Sequence, residues 1–365
     1  MAFSFPAFKA PDFGKPPLCY APRVRTEKAP DRGVAPANYH ATSNFPEYLH
    51  LGKGEWVLVQ ESRMDCVLVL RGGRPAATEF RRLRKGDPVV MGRTENGEEG
   101  IFVHTDGFES APDKFTDKFS FRARGTRETP FSRSYDALYD LMRFDRDRGY
   151  IVWVLGPAVA FDKDSRDAMQ GLIENGYCHA LLAGNALATH DLEAARFRTG
   201  LGQDIYTQAP RRMGHYHHLD ILNAVRSHGS IRRTLRELRL RDGIMAACER
   251  KKIPYVLAGS IRDDGPLPEV IPDVYAAQDA MRAHARKATT VIAMATQLHS
   301  IAFGNMVPSY RVEKGGAVRP VYFYVVDISE FSVDKLANRG SSQATAVVTN
   351  VQDFVVNLWK HLVEE

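Results

Sequence analysis

In the stretch Val256–Val270, VLAGSIRDDGPLPEV, an apolar run stops at Gly259-Ser260 and is followed by Arg262, Asp263 and Asp264, then by Gly265-Pro266. Three charges between a strand-like run and a Gly-Pro turn read as a loop at the carboxyl end of a sheet strand, the edge where open α/β sheets bind ligands. A solvated turn is the plainer alternative, because Asp-Gly and Gly-Pro are ordinary turn dipeptides. Three other apolar runs end in comparable ways: Leu155 leads into Gly156-Pro157-Ala158, Ala183 into Gly184-Asn185-Ala186, and Val326 into Asp327. Glycine at a strand-to-helix turn lets a ligand approach the backbone, and the free N–H groups of the next helix suit phosphate. An acid at a strand end suits ribose hydroxyls. These residue types point to a nucleotide-like ligand or, more simply, to tight βα turns. The GxGxxG and GxxxxGK[ST] fingerprints are both absent.

Other residues could do chemistry. In Glu61-Ser62-Arg63-Met64-Asp65, Arg63 could clamp a carboxylate in bidentate fashion and Asp65 could hold an ammonium, unless the stretch is a hairpin turn. His215-Tyr216-His217-His218 opens a helix with no carboxylate or cysteine at ligand spacing, so a substrate-pocket histidine suits it better than a metal. His299 lies just after the strand ending at Thr296, at the same sheet edge as the glycine turns. His190-Asp191 reads as a satisfied surface pair, and Lys335 in DKLANRG as a base of lowered pKa or a solvated residue.

The elements that must position these groups fall into two regimes. Residues 1–45 hold seven of the twenty prolines and no periodicity, and read as an extended arm. Residues 46–130 show short strands (WVLVQ, MDCVLVL, ATEF, PVVMG, IFVHTDGF) between Gly-rich or charged turns, a small β-rich domain. From 131 to 365 strands alternate with amphipathic helices. Strands are expected at 151–155, 179–183, 255–259, 290–296 and 322–328. Helices are expected at 132–148, 164–175, 186–197, 217–250, 274–287 and 351–363. The pattern predicts an α/β fold with a mostly parallel, doubly wound sheet covered on both faces.

The 365-residue chain is 44% hydrophobic and 25% charged, the balance of a globular protein long enough for two domains. A net charge of +5 without a stripe of Lys/Arg interleaved with aromatics argues against nucleic acid. The basic run 232–241 carries Leu235 and Leu238 at helical spacing and reads as a solvated face. Cys19, Cys66, Cys178 and Cys248 are far apart, with neither zinc spacing nor a disulfide framework, so a reducing cytoplasm is expected. No apolar run approaches the roughly 18 residues of a membrane helix, and the start lacks a signal core.

Longer blocks carry a resemblance. SNFPEYLHLGKGEWVLVQESRMD (43–65), GPAVA (156–160), ALLAGNALATHDLE (180–193), GSIRDDGPLPEVIPDV (259–274), ATQLHSIAFGN (295–305) and VDIS…DKLANRGSSQ (326–343) resemble, in order, the archaeal-type ornithine cyclodeaminases. The same domain forms the C-terminal part of cyanobacterial arginine dihydrolase/ornithine cyclodeaminase and the lysine-oxoglutarate reductase/saccharopine dehydrogenase conserved region. The resemblance implies a β-rich domain followed by a Rossmann-like, deoxyhypusine-synthase-like NAD domain. It places NAD contacts on Asn185, Ala186, Asp263, Asp264, Thr296, Gln297, Leu298, His299, Asp327, Asn350 and Val351. Substrate contacts are expected at Arg63, Asn44 and His215, and the base at Lys335 or Asp65, in a homo-oligomer. The implied reaction turns L-ornithine into L-proline and ammonia by transient hydride transfer to NAD. The rivals are an opine- or saccharopine-type NAD(P)-dependent oxidoreductase and a non-catalytic NAD-binding protein. The sequence departs from the family pattern at Phe161-Asp162-Lys163, at Gly214–His218, at Asn350, and in an insertion at 311–320. The first two departures fall where substrate recognition is expected, which leaves a related basic amino acid as the alternative substrate.

Overall fold

Two small antiparallel sheets are built first. β1 (Arg25–Lys28), β4 (Cys66–Arg71), β5 (Arg74–Glu79) and β6 (Pro88–Met91) form one in the order β1-β6-β4-β5, and β2 (Glu47–Gly52), β3 (Glu55–Leu58) and β7 (Ile101–Val103) the other, in the order β3-β2-β7. The computed structural model describes residues 4–108, 132–329 and 343–364. The Pro-rich stretch lies along the folded surface, where β1 pairs along β6 from Arg25↔Met91 to Lys28↔Pro88. Phe13 also stacks on Trp56, with ring centroids 4.9 Å apart. The first attachment is made by backbone pairing, since every β1 residue is exposed, and the second by ring contact.

The second region is a seven-stranded parallel sheet, β13-β12-β9-β8-β14-β17-β18. Its strands are β8 (Ile151–Leu155), β9 (Ala180–Gly184), β12 (Tyr255–Ala258), β13 (Val270–Ile271), β14 (Thr290–Met294), β17 (Tyr322–Asp327) and β18 (Gln343–Val348). β10 and β11 (Thr199–Gly200, Gln203–Asp204) and β15 and β16 (Tyr310–Val312, Val318–Pro320) are small hairpins, the latter filling the insertion at 311–320. Alternate residues of each strand face opposite cores. Ile151, Trp153 and Leu155 join a cluster with α1 (Ser132–Arg148), α2 (Lys163–Glu174), α3 (Asn185–Phe197), α4 (His217–His228), α5 (Ile231–Glu237), α6 (Ile244–Lys251) and α9 (Val351–Trp359). Val152 and Val154 join a second cluster with α7 (Val274–Ala285) and α8 (Gln297–Met306). Burial on both faces is why these strands are apolar along their whole length.

Setting aside the two-residue β13, the order is third-second-first-fourth-fifth-sixth, the doubly wound arrangement. After β8 the chain leaves toward α2 on one face, and after β14 toward α8 on the other. The loops therefore diverge between two adjacent strands, which opens a crevice at their carboxyl ends. Below that crevice the strands are tightly apposed. A Cβ on Gly156 would lie 1.9 Å from the Ala295 carbonyl oxygen, so only glycine fits there.

Gly156→Ala should therefore destabilise the fold by about 2–3 kcal/mol through overpacking. Gly315→Ala, where a Cβ would meet nothing within 4 Å, should move stability by no more than about 0.5 kcal/mol. Urea denaturation of both variants measures the difference, and equal midpoints would contradict the packing argument.

Candidate functional site

The carboxyl ends of β8, β9, β12 and β14 enclose a cleft of about 290 Å³ at this switch point. Three helical N-termini meet its wall: the 3₁₀ turn Pro157–Ala160, α3 and α8. Their N-cap residues, Gly156, Gly184 and Thr296, make no side-chain capping bond, and none has an acid in its first turn. Of the helices that start elsewhere, α2, α5, α7 and α9 have side-chain caps, whereas α4 and α6 do not. Asp162, Asp273 and Asn350 accept from the backbone N–H of Ser165, Ala276 and Gln352 at the starts of α2, α7 and α9. The uncapped starts of α3 and α8, with the positive ends of their dipoles, thus gather at one place, a setting suited to an anion such as a pyrophosphate.

Backbone geometry shapes the cleft. Ala295 takes a left-handed conformation, φ +52°, a costly one for a residue with a Cβ, and so turns the chain abruptly from β14 into α8. The loop after β12 is folded on itself. Asp263 accepts from Ser260 N–H at 2.8 Å, and Ser260 Oγ accepts from Arg262 N–H at 3.2 Å. Asn185 Oδ1 then accepts from Leu267 N–H at 3.0 Å, which ties this loop to the start of α3. The charged loop Arg262-Asp263-Asp264 is therefore a wall of the cleft, with Arg262 and Asp263 lining it and Asp264 exposed outside. His299 lies half-buried on the opposite side. Burial holds its imidazole below the usual histidine value, with Asp263 pulling the other way. Asp327 stands one strand over on the same edge, where its Oδ1 accepts from Ser329 N–H at 2.9 Å.

Asn185, Ala186, Asp263, Thr296 and His299 stand together on the cleft wall. Gln297 and Leu298 are exposed in the first turn of α8, outside it. Asn350 and Val351 stand off the cleft wall, at the start of α9. Asn350 uses its side-chain oxygen to cap α9, and the Val351 side chain is buried in the core. The β-rich residues also differ from expectation. Arg63 is fully buried, bonded to Glu79 and to the Glu61 carbonyl (2.7 Å), so it is no open clamp. Asp65 accepts from Asn305 Nδ2 at 3.2 Å. Asn305 is nine residues along from Thr296, roughly 13 Å of helix rise from the cleft end of α8. Asn44 is half-buried just before β2, and His215 is exposed, its ring 4.3 Å from that of Tyr216. Lys335 lies outside the described residues.

Sequence reasoning missed a buried network behind the cleft. His190 and Asp191 are not a surface pair: Asp191 is fully buried, bonded to Arg166 at 2.7 Å and to the N–H groups of Ile244 and Met245. His190 bonds Glu193 at 2.9 Å, Thr199 donates to Glu193 at 2.9 Å, and His217 meets Thr199 at 2.8 Å. Burial raises the Glu193 carboxyl, but bonds from His190, Gly202 N–H and Thr199 outweigh it, and its pKa falls below the ordinary value. The Phe161 ring packs 5.0 Å from that of His190. Phe161 and His217, from the two stretches that depart from the family pattern, are thus brought together around one carboxylate. The available signal was His190 and Glu193 at i and i+3 on α3, one face of a helix. Among the described residues, no group of three or more His, Cys, Asp or Glu could hold a metal ion, and no helix is long and apolar enough to cross a membrane.

The family described as "Arginine dihydrolase ArgZ-like, C-terminal, Rossmann fold" matches residues 137–358, and its "first region" matches 49–125. The ornithine cyclodeaminase of Methanopyrus kandleri is 39% identical over 353 residues, 96% of this chain and 81% of its own length. The crystal structure of a conserved protein of Methanococcus maripaludis assigned to the LOR/SDH group superposes with a TM-score of 0.83. It is 36% identical and is matched over 94% of this chain and 99% of its own. The ternary complex of AgrE with ornithine and NAD+ gives a TM-score of 0.59 at 31% identity, over 94% of this chain and 46% of the AgrE chain. The chain belongs to the ArgZ-like, ornithine cyclodeaminase family. It is an ornithine cyclodeaminase-like enzyme with a Rossmann fold.

The His299 imidazole should titrate below 6.5 in an NMR experiment, and Asp263→Asn should lower it further by removing the charge that favours the imidazolium. A depressed histidine pKa means that the unfolded chain binds the proton first. His299 should therefore cost stability as pH falls below about 6.5 and cost none above it. A pKa above 6.5, or one raised by Asp263→Asn, would contradict the geometry.

Proposed function

We propose that the protein is an NAD-dependent cyclodeaminase that converts L-ornithine, or a related basic amino acid, into L-proline or its cyclic analogue and ammonia. The observation that carries this reading is the set of three uncapped helical N-termini around a cleft at the switch point, in a chain of this family. The fit to a dinucleotide rests on the cleft itself. Free N–H donors suit its pyrophosphate, and Arg262, with no ion-pair partner among the described residues, adds a positive charge. The Asp327 carboxylate at the neighbouring strand end suits ribose hydroxyls. NAD, when bound, would supply the redox chemistry, taking the α-hydrogen of the amino acid and returning it after ring closure.

The chain's own residues would bind, orient and exclude water. A side chain at position 184 would press on His299, since a Cβ there would lie 3.3 Å from its Cε1; glycine leaves that ring beside the reacting region. The network of His190, Glu193, Thr199 and His217 would fix the wall against which the amino acid is recognised. Lys335, next in sequence after the Asp327 strand, is the preferred base, because Asp65 is bonded at the far end of α8. The reading includes a homo-oligomer in the cytoplasm. Ile261, Leu298 and Ile328 expose large apolar side chains at the cleft's edge of the sheet, a surface a second copy would cover.

Purified protein with substoichiometric NAD should release ammonia from ornithine over many turnovers without a steady rise in NADH absorbance. Deuterium at C2 should be retained in the cyclic product. Stoichiometric NADH formation, or loss of the label to solvent, would sink the reading. Asp327→Ala should weaken NAD binding by about 1.5–3 kcal/mol, the worth of a hydrogen bond to a charged group, with the fold kept. Unchanged affinity in a titration would remove Asp327 from the cofactor site.

A further inference from the structure

A second cleft, of about 550 Å³, opens where the four-stranded antiparallel sheet meets α7. Its lining holds six arginines, Arg32, Arg71, Arg81, Arg82, Arg84 and Arg286, against two carboxylates, Glu79 and Asp279. Arg81 and Arg82 converge on Asp279, while Arg71 pairs with Asp87 at 3.2 Å and Arg286 with Glu61 at 3.3 Å. Among the described residues the guanidinium groups of Arg32 and Arg84 have no partner, and both side chains are exposed.

The imbalance continues behind the wall. Glu79 takes both Arg63 and Arg282, which are buried, and lies 3.6 Å from Arg82. One carboxylate thus faces three guanidinium groups. Their Nε atoms are all buried without a hydrogen-bond partner. Burial, with Arg63 alongside, brings the Arg282 guanidinium down to about 10, still charged at neutral pH. Arginine cannot relieve such crowding by losing a proton in this range. Surplus positive charge in a concave, partly desolvated site attracts counter-charge strongly, and a guanidinium fork matches a carboxylate or phosphate with two parallel bonds. A single negative charge would leave most of the surplus unmet, and the volume suits a ligand of small-metabolite size.

We propose that this cleft binds a small multivalent anion carrying two or more phosphate or carboxylate groups, at a place separate from the switch-point cleft. Such a ligand would clasp the β-rich region to α7. The inference is independent of the reaction proposed above.

The probes are inorganic tripolyphosphate and citrate, titrated calorimetrically into the full chain. Both should be compared with Arg32→Ala/Arg84→Ala, whose side chains are exposed and unpaired, so that folding is kept. We expect at least one probe to bind the parent protein, more weakly as salt rises, and at least tenfold more weakly to the double variant. Binding of tripolyphosphate alone would assign a phosphorylated ligand, and of citrate alone a polycarboxylate. The charge-matched Arg236→Ala/Arg239→Ala, in the separate basic groove around α5, should bind like the parent. Three results would overturn the proposal. They are no binding of either probe, equal binding by the Arg32/Arg84 variant, and a change of oligomeric state in that variant, which would give the arginines to a second copy.

Discussion

The site depends on one close contact, the passage of Gly156 against the Ala295 carbonyl where β8 and β14 end side by side. These strands are adjacent in the sheet but far apart in the chain, and their connections leave toward opposite faces. If either strand end were pushed outward, the 3₁₀ turn after β8 and the start of α8 would separate, and the cleft between them would lose its shape. Gly156 N–H also donates to the Met294 carbonyl at 2.8 Å, so the ladder continues one residue past the strand before it splits. The crevice begins where hydrogen bonding stops.

Electrostatics follow from that arrangement. α2, α7 and α9, which start away from the cleft, satisfy their first N–H groups with Asp162, Asp273 and Asn350, whereas α3 and α8, which start at it, have no side-chain cap. A helix whose donors are left open at a buried edge is incomplete without an acceptor from elsewhere. The folded loop 260–267, tied through Asn185, adds Arg262 and Asp263 to the same wall, so the cleft carries both signs of charge close to open backbone donors.

Much of this was legible in the sequence. Strand β8 runs over the residues its apolar run marks, and α1 follows its i, i+3, i+4 pattern. The first depends on burial that is continuous along the strand, the second on burial that recurs at the helical period. The edge strand β18 was not legible, because Gln343-Ala344-Thr345-Ala346 is too weakly apolar to mark a strand, and β1 was masked by the prolines around it. Side-chain partners were legible least. Whether Arg63 is an open clamp or a buried ion depends on Glu79 and on Arg282, more than two hundred residues away, and local spacing carries no trace of either. The same holds for Asp191, whose burial depends on Arg166 and on the start of α6.

Ala295 has a further consequence. At φ +52° a glycine would rest without strain, yet the chain has a methyl group there. A glycine bend would reach many conformations of similar energy, whereas an alanine forced into this one has few alternatives and is held by β14 behind it and α8 ahead. The junction is therefore a stiff elbow and not a hinge. The start of α8, with His299 less than one turn in, is aimed by that bend, and the loop 260–267 forms the opposite side of the cleft.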